Sequence, residues 1–255
     1  MRTTAQATSW LRRYRPRPAA TWRLVCFPYA SGNATFYRQW AVRLPAEVEV
    51  VAVQYPGRLD RIHEPCVRDM AAMVDEIVAA LQPLLHTDFA LFGHSMGAAV
   101  AYEVAHRLEH GLGAPPRRLI VSGRPAPQHH RPGVKHLGSD EDLWDELRRL
   151  GGTTDEALAH PELRSALMPT LRADYRLVET YRPTFGAPLS VPVTAITGDD
   201  DPEAHVPEVA DWRRCTTGDF QLRVLPGHHF YLIDRQAEVL DHLREVLGLP
   251  AGQPY

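Results

Sequence analysis

Cysteine is scarce in this chain, which has three in 255 residues: Cys26, Cys66 and Cys215. An odd number of widely spaced cysteines argues against a disulfide framework or a cysteine metal site, and a reducing cytoplasm is the expected setting. No apolar run approaches the roughly 20 residues that a membrane span requires, and the N-terminus has no hydrophobic signal core. A charge excess of either sign is also missing: the formal net charge is -3. With basic residues scattered, the electrostatic footprint of a nucleic-acid-binding surface is absent. The one cationic cluster, Arg12, Arg13, Arg15 and Arg17, is interleaved with Trp10, Leu11 and Tyr14. It reads as a strap packed on the surface.

The composition, 44% hydrophobic and 23% charged, can fill one sizeable core, and the length suits a single α/β domain spanning 1–255. Strand-like and helix-like runs alternate. Trp22 to Phe27 and Val48 to Gln54 read as strands, with a helix around Phe36 to Leu44 between them. A helix over Met70 to Leu84, an apolar strand at Asp88 to Phe92 and a strand at Arg118 to Ser122 follow. Such alternation predicts a mostly parallel sheet covered on both faces. The rhythm breaks between residues 125 and 183, where only helical patterns occur, near Asp140 to Leu150 and Pro161 to Tyr181. It resumes at Leu189 and closes with a helix near Gln236 to Leu247. An all-helical insertion over 125–183 between late strands predicts a lid.

The pentapeptide Gly93-His94-Ser95-Met96-Gly97 lies between the apolar strand and an Ala-rich helical run. Gly-x-Ser-x-Gly at a strand-to-helix corner is a nucleophile elbow, a turn so tight that glycine is needed on both sides and the serine hydroxyl stands above the sheet. Ser95 is the nucleophile candidate. A serine hydroxyl is a poor nucleophile at neutral pH, so an imidazole must take its proton, and a carboxylate must fix that imidazole's tautomer. In an α/β-hydrolase the acid and then the histidine follow the serine in the chain. The run Leu189 to Thr197 stops at Asp199-Asp200-Asp201, and Phe220 to Leu225 stops at His228-His229. The residue types leave each cluster undecided. A tetrahedral intermediate also needs two backbone N–H donors. One is the amide of Met96, after the nucleophile. The other falls in the loop Pro28-Tyr29-Ala30-Ser31-Gly32, where proline has no N–H and Tyr29 or Ala30 remains.

Six separated stretches carry a resemblance to a known family: Cys26 to Ala34 with Phe36, Tyr37 and Trp40; Val53 to Arg58; Gly93 to Gly97; Ser122 to Pro127; Pro169 to Tyr175; and Gly227 to Tyr231. Together they resemble the type II thioesterases that accompany modular polyketide synthases and nonribosomal peptide synthetases, along nearly the whole chain. The resemblance implies the triad Ser95, Asp201 and His229 and an oxyanion hole from the amides of Met96 and Ala30. Where the family loop more usually reads Ala-Gly-Gly, this chain has Ala30-Ser31-Gly32, which bears on the loop's fine geometry.

The resemblance further implies the substrate: an acyl thioester on the phosphopantetheine arm of an acyl or peptidyl carrier protein, met in trans. No cofactor or metal of the protein's own is expected. A free-standing cytoplasmic monomer that clears aberrant or stalled acyl groups is the expectation, with no nucleic-acid or membrane partner. Rival readings are a carboxylesterase or lipase acting on free esters, a chain-terminating cyclase and a non-catalytic hydrolase-fold binding module.

Overall fold

The apolar runs pair edge to edge into one seven-stranded sheet. Its strands are β1 (Leu11–Arg12), β2 (Trp22–Phe27), β3 (Val48–Val53), β4 (Phe89–His94), β5 (Arg118–Ser122), β6 (Val193–Gly198) and β7 (Phe220–Leu225), in the order β1-β3-β2-β4-β5-β6-β7. This computed structural model describes residues 9–151, 160–184 and 186–250. All neighbouring pairs are parallel except β1 with β3. The β-rich run read from Leu189 forms its strand only from Val193. Pro192, which has no N–H to give a ladder, stands just before it, while Leu189 makes an isolated bridge with Thr216.

Alternate side chains of each strand enter different cores. Val25, Phe27, Leu91 and Val121 pack beneath the helices α2 (Met70–Leu81) and α3 (Met96–His106). Leu24, Cys26, Phe92 and Ile120 pack on the other face with Trp40 of α1 (Arg38–Arg43) and with Leu240 and Leu243 of α8 (Gln236–Val246). Full burial of such a side chain is worth about 1.5–3 kcal/mol relative to exposure, so the period-2 partition into two apolar layers dominates the fold's stability. Glu49, fully buried in β3, is tolerated there because Arg13 and Arg23 face its carboxylate.

The cationic N-terminal segment is a strap. β1 adds an antiparallel edge to β3, Trp10 is buried, and Arg61 lies over the Trp10 ring. Arg17 donates to the carbonyls of Ala41 and Leu44, both at 3.0 Å, which satisfies groups left open at the end of α1.

Between β5 and β6 the described residues contain no strand, as the broken rhythm predicts. Of the expected segment 125–183, residues 152–159 lie outside the described residues. The helix α4 (Asp140–Leu150) opens on a capping box formed by Ser139 and Asp142 and ends at Gly151, whose φ of 75° suits glycine. The helix α5 (Pro161–Thr180) starts with a proline at its first position and carries Pro169 in its interior. Leu143, Trp144 and Leu147 of α4 meet Met168 and Leu171 of α5 in a small core separate from the two sheet cores. Two short helices, α6 (Val206–Ala210) and α7 (Tyr231–Asp234), follow β6 and β7. Their few residues are too short for a readable 3.6-residue period.

Candidate active site

The elbow is as tight as the pentapeptide predicts. Ser95 sits at φ 55°, ψ -116° between β4 and α3, a region that costs about 1–3 kcal/mol for a residue with a side chain. Its amide donates to the Ser122 carbonyl at 2.8 Å, and its carbonyl accepts from the Ala98 amide at 3.0 Å. A Cβ on Gly93 would lie 2.1 Å from the Gly97 carbonyl oxygen, and one on Gly97 would lie 2.1 Å from that of Phe27. Glycine at both places lets strand, turn and helix approach this closely.

Of the two histidines, the structure brings His229 to the serine. The Ser95 hydroxyl donates to His229 Nε2 at 3.0 Å, and His229 Nδ1–H donates to Asp201 Oδ2 at 2.9 Å. His229 and Asp201 are buried, whereas the His228 side chain is 75% exposed and pairs with Asp200 at 3.1 Å. Asp199 accepts the Gly227 amide at 2.9 Å and so ties the acid loop to the histidine loop. Asp201 is itself held: its Oδ1 accepts the amides of Glu203 at 2.9 Å and Ala204 at 3.2 Å. The three acidic neighbours thus play three different parts, which only the folded loops assign.

Beneath the triad runs a buried polar chain that the residue pattern does not single out. Tyr231 Oη lies 2.6 Å from Ser122 Oγ, which lies 2.8 Å from His94 Nδ1, and the His94 ring packs against His229 with centroids 5.0 Å apart. Burial, reinforced by the adjacent His229, pushes the His94 pKa well below the ordinary histidine value, so His94 is neutral. Burial likewise raises the Tyr231 phenol. A neutral packing partner behind the base adds no competing positive charge.

Met96 is the first residue of α3, so its N–H has no partner within the helix. Ala30 follows Tyr29 in a turn closed by the Gly32 amide on the Tyr29 carbonyl at 2.9 Å. Ala30, Met96, Ser95 and His229 line one cavity of about 110 Å³, closed from the other side by Leu147, Leu150, Leu171, Tyr175 and Val178. A larger cavity of about 710 Å³, lined by Glu103, His106, Leu177 and Tyr181, includes none of the triad residues. Chemistry, not volume, singles out the small one as the candidate site: of the two, it holds the Ser95 hydroxyl, the His229 imidazole and the Ala30 and Met96 backbone together.

The fold also brings together two charged residues, Arg58 and Asp174, for which the sequence suggests no role. They form a buried bidentate pair, with nitrogen–oxygen distances of 2.9 and 2.8 Å, between the loop after β3 and α5. The available signal was a carboxylate on the apolar stripe of a helix, since Leu171 and Leu177 flank Asp174 at three-residue spacing on the buried side.

A model of the thioesterase domain matches residues 22–247. The chain is 42% identical over 246 residues to the thioesterase PikA5 of Streptomyces venezuelae, covering 96% of this chain and 88% of that protein. Among solved structures it is similar to BorB, a type II thioesterase from the borrelidin biosynthetic cluster, with a TM-score of 0.87 and 43% identity over 93% of this chain and 97% of that one. RedJ, the thioesterase of the prodiginine pathway in Streptomyces coelicolor, gives 0.84 and 43% over 89% and 86%. With the elbow, the parallel sheet and these likenesses together, the chain belongs to the thioesterase family of α/β-hydrolase fold and is a thioester hydrolase whose relatives include the type II thioesterases of polyketide and nonribosomal peptide biosynthesis.

Proposed function

We propose that this protein is an editing thioesterase that frees aberrant or stalled acyl groups from the phosphopantetheine arm of acyl or peptidyl carrier proteins met in trans. The observation that carries the reading is the continuous hydrogen-bonded line from Ser95 Oγ through His229 to Asp201 at the floor of a cavity roofed by α4 and α5.

Ser95 Oγ attacks the thioester carbonyl carbon while His229 Nε2 takes its proton, and Asp201 stabilises the resulting imidazolium. The carbonyl oxygen gains negative charge opposite the amides of Met96 and Ala30. Collapse of this intermediate expels the pantetheine sulfur, which receives the proton from His229. Water, deprotonated by the same imidazole, then attacks the acyl-Ser95 ester, and the free acid leaves. The helical segment 125–183 acts as the lid that admits the arm and encloses the acyl chain. The protein needs no cofactor of its own in this scheme and works as a cytoplasmic monomer, a setting that its three free cysteines suit.

Mass spectrometry of acyl-loaded carrier proteins before and after incubation tests this reading. The expected result is loss of the acyl mass from the carrier with wild-type protein and retention with Ser95→Ala. Turnover of small oxygen esters with no action on acyl-carrier proteins would reassign the protein to free esters.

A further inference from the structure

The loop that presents Ala30 is not self-supporting. Ser31 occupies φ 63° at the third position of the turn Tyr29 to Gly32, a left-handed conformation that disfavours any residue with a side chain. Three contacts hold it. The Gly32 amide closes the turn on the Tyr29 carbonyl at 2.9 Å. The Ser31 amide donates to Asp174 Oδ2 at 2.8 Å, and Arg58 Nη1 donates to the Gly32 carbonyl at 2.9 Å. In a planar trans peptide the C=O and N–H point in opposite directions. Fixing the Tyr29 carbonyl inside the turn therefore aims the Ala30 N–H outward, and fixing the Ser31 N–H on Asp174 locks the next peptide unit.

The carboxylate doing this is not part of the loop or the sheet. Asp174 lies on α5, and Thr170, one helical turn earlier, donates to the Gly57 carbonyl at 2.9 Å. Both contacts lie beyond Pro169, so the C-terminal half of this helix docks as a unit on the loop after β3. Arg58, buried and also 5.1 Å over the Tyr55 ring, completes the clamp.

We infer that Arg58 and Asp174 are positioning residues for the oxyanion hole, and that they make the Ala30 donor competent only while α5 is seated. When α5 lifts, Ser31 loses its acceptor, Gly32 loses its donor, and the strained turn relaxes with the Ala30 N–H no longer aimed. Substrate entry and catalytic competence are thereby coupled through one carboxylate. This inference rests on the assignment of Ser95 and Ala30 made above.

The test separates the two. Arg58→Met/Asp174→Leu replaces the pair with apolar side chains of similar size, so no charge is left buried alone. Retained melting temperature and stoichiometric phosphonate labelling of Ser95 establish that the variant is folded with a live nucleophile. The expected result is a kcat about 10- to 100-fold lower, approaching the loss of an oxyanion donor, with KM for an acyl-pantetheine unchanged. Affinity for a trifluoromethyl ketone analogue, whose Ser95 adduct places an oxyanion in the hole, falls by the same factor. Affinity for a pantetheine thioether, which lacks the carbonyl next to sulfur, stays the same. Equal loss of both affinities, or loss of neither, overturns the inference.

Should the double variant fail to fold, a backbone ester at residue 31, with glyceric acid replacing serine, removes only the N–H that Asp174 accepts and is expected to show the same split. An ester at residue 30, with lactic acid replacing alanine, removes the proposed donor itself. If that ester leaves kcat intact, the Ala30 assignment fails. If it lowers kcat while the residue 31 ester does not, the assignment stands and the clamp is wrong.

Discussion

The strand-end loops and the helical segment between β5 and β6 face each other across the same cavity, yet they are built differently. Ser95, Asp201 and His229 stand in the turns and loops that follow β4, β6 and β7, and the last two loops are cross-tied by backbone bonds such as Asp199 N–H to the Leu225 carbonyl at 2.9 Å. The helices α4 and α5 have their own small core and meet the rest of the molecule through Leu177, which enters the core beneath α2 and α3, and through side-chain ties: Arg58 with Asp174, Tyr181 with Glu103, and Arg149 with Glu203. The candidate triad sits on the part whose geometry comes from a ladder of main-chain bonds. In the proposed function, access falls to the part that is held by side-chain packing and polar ties rather than by a main-chain ladder.

The sharpest way to break this comparison is at the triad. Ser95→Ala and His229→Ala are each expected to lower kcat on the order of 10⁶-fold, because members of such a unit fail together, while His228→Ala keeps nearly wild-type turnover. Single-turnover kinetics on an acyl-pantetheine checks this, and comparable losses at His228 would contradict the geometry. Asp201→Asn is expected to cost about 10⁴-fold in kcat by trapping the wrong imidazole tautomer. Asp199→Asn and Asp200→Asn, whose side chains tie loops or face solvent, should cost far less in the same assay.

Local opening reads the comparison directly. Amide hydrogen exchange is expected to be about 10²-fold or more faster in α4 and α5 than in β4, and to slow in the helices when a non-hydrolysable acyl-pantetheine is bound. Uniform protection across both regions would mean that the helices open only with the whole domain. Val178→Phe, on the chamber side of α5, is expected to shift preference about 10-fold toward shorter acyl groups with little change for acetyl, as one or two methylenes of pocket volume allow. Competition assays with a chain-length series measure it.

The smallest effect separates the regions by pH. His94, buried under the triad, has its folded pKa depressed well below the unfolded value of about 6.5. Below that pH the unfolded chain binds a proton that the folded protein refuses, so stability falls as pH drops, by about 1.4 kcal/mol per pH unit. Denaturant titrations between pH 6 and 5 should show stability falling toward acid, and His94→Gln should make the slope shallower by that one histidine's share. His130, at the start of the helical segment beside Arg124, is held down to about 4 by burial and that guanidinium, and it adds a dependence of the same sign in the same pH window.

Much of this was legible in residue order. An apolar run continuous from Leu24 to Phe27 marks β2, because a parallel strand inside the sheet is buried on both faces, and alternation marks β7, the half-exposed strand at the sheet's edge. The amphipathic pattern marks α4 to both ends. The short α6 and α7 were not legible, since four or five residues carry no period. The elbow, and the order of acid and histidine after it, follow from local sequence because a turn this tight admits few residue types. Choosing His229 over His228, and Asp201 over its neighbours, required the family resemblance. Adjacent residues of one type differ only in where their side chains point, and that direction belongs to the folded loop. The deepest dependence on tertiary structure is at Ser31 and Asp174, 143 positions apart. Composition and period place one in a turn and the other on a helix, but a hydrogen bond between them exists only after the whole sheet has brought α5 down onto the loop. Residue order alone marks the sheet, the elbow with its candidate nucleophile and the kinds of residue such chemistry needs, because those are set by local sterics and burial. Only the folded molecule shows which histidine and which aspartate line up with Ser95, and what holds the loop of Ala30, because those are relations between segments that no local pattern encodes.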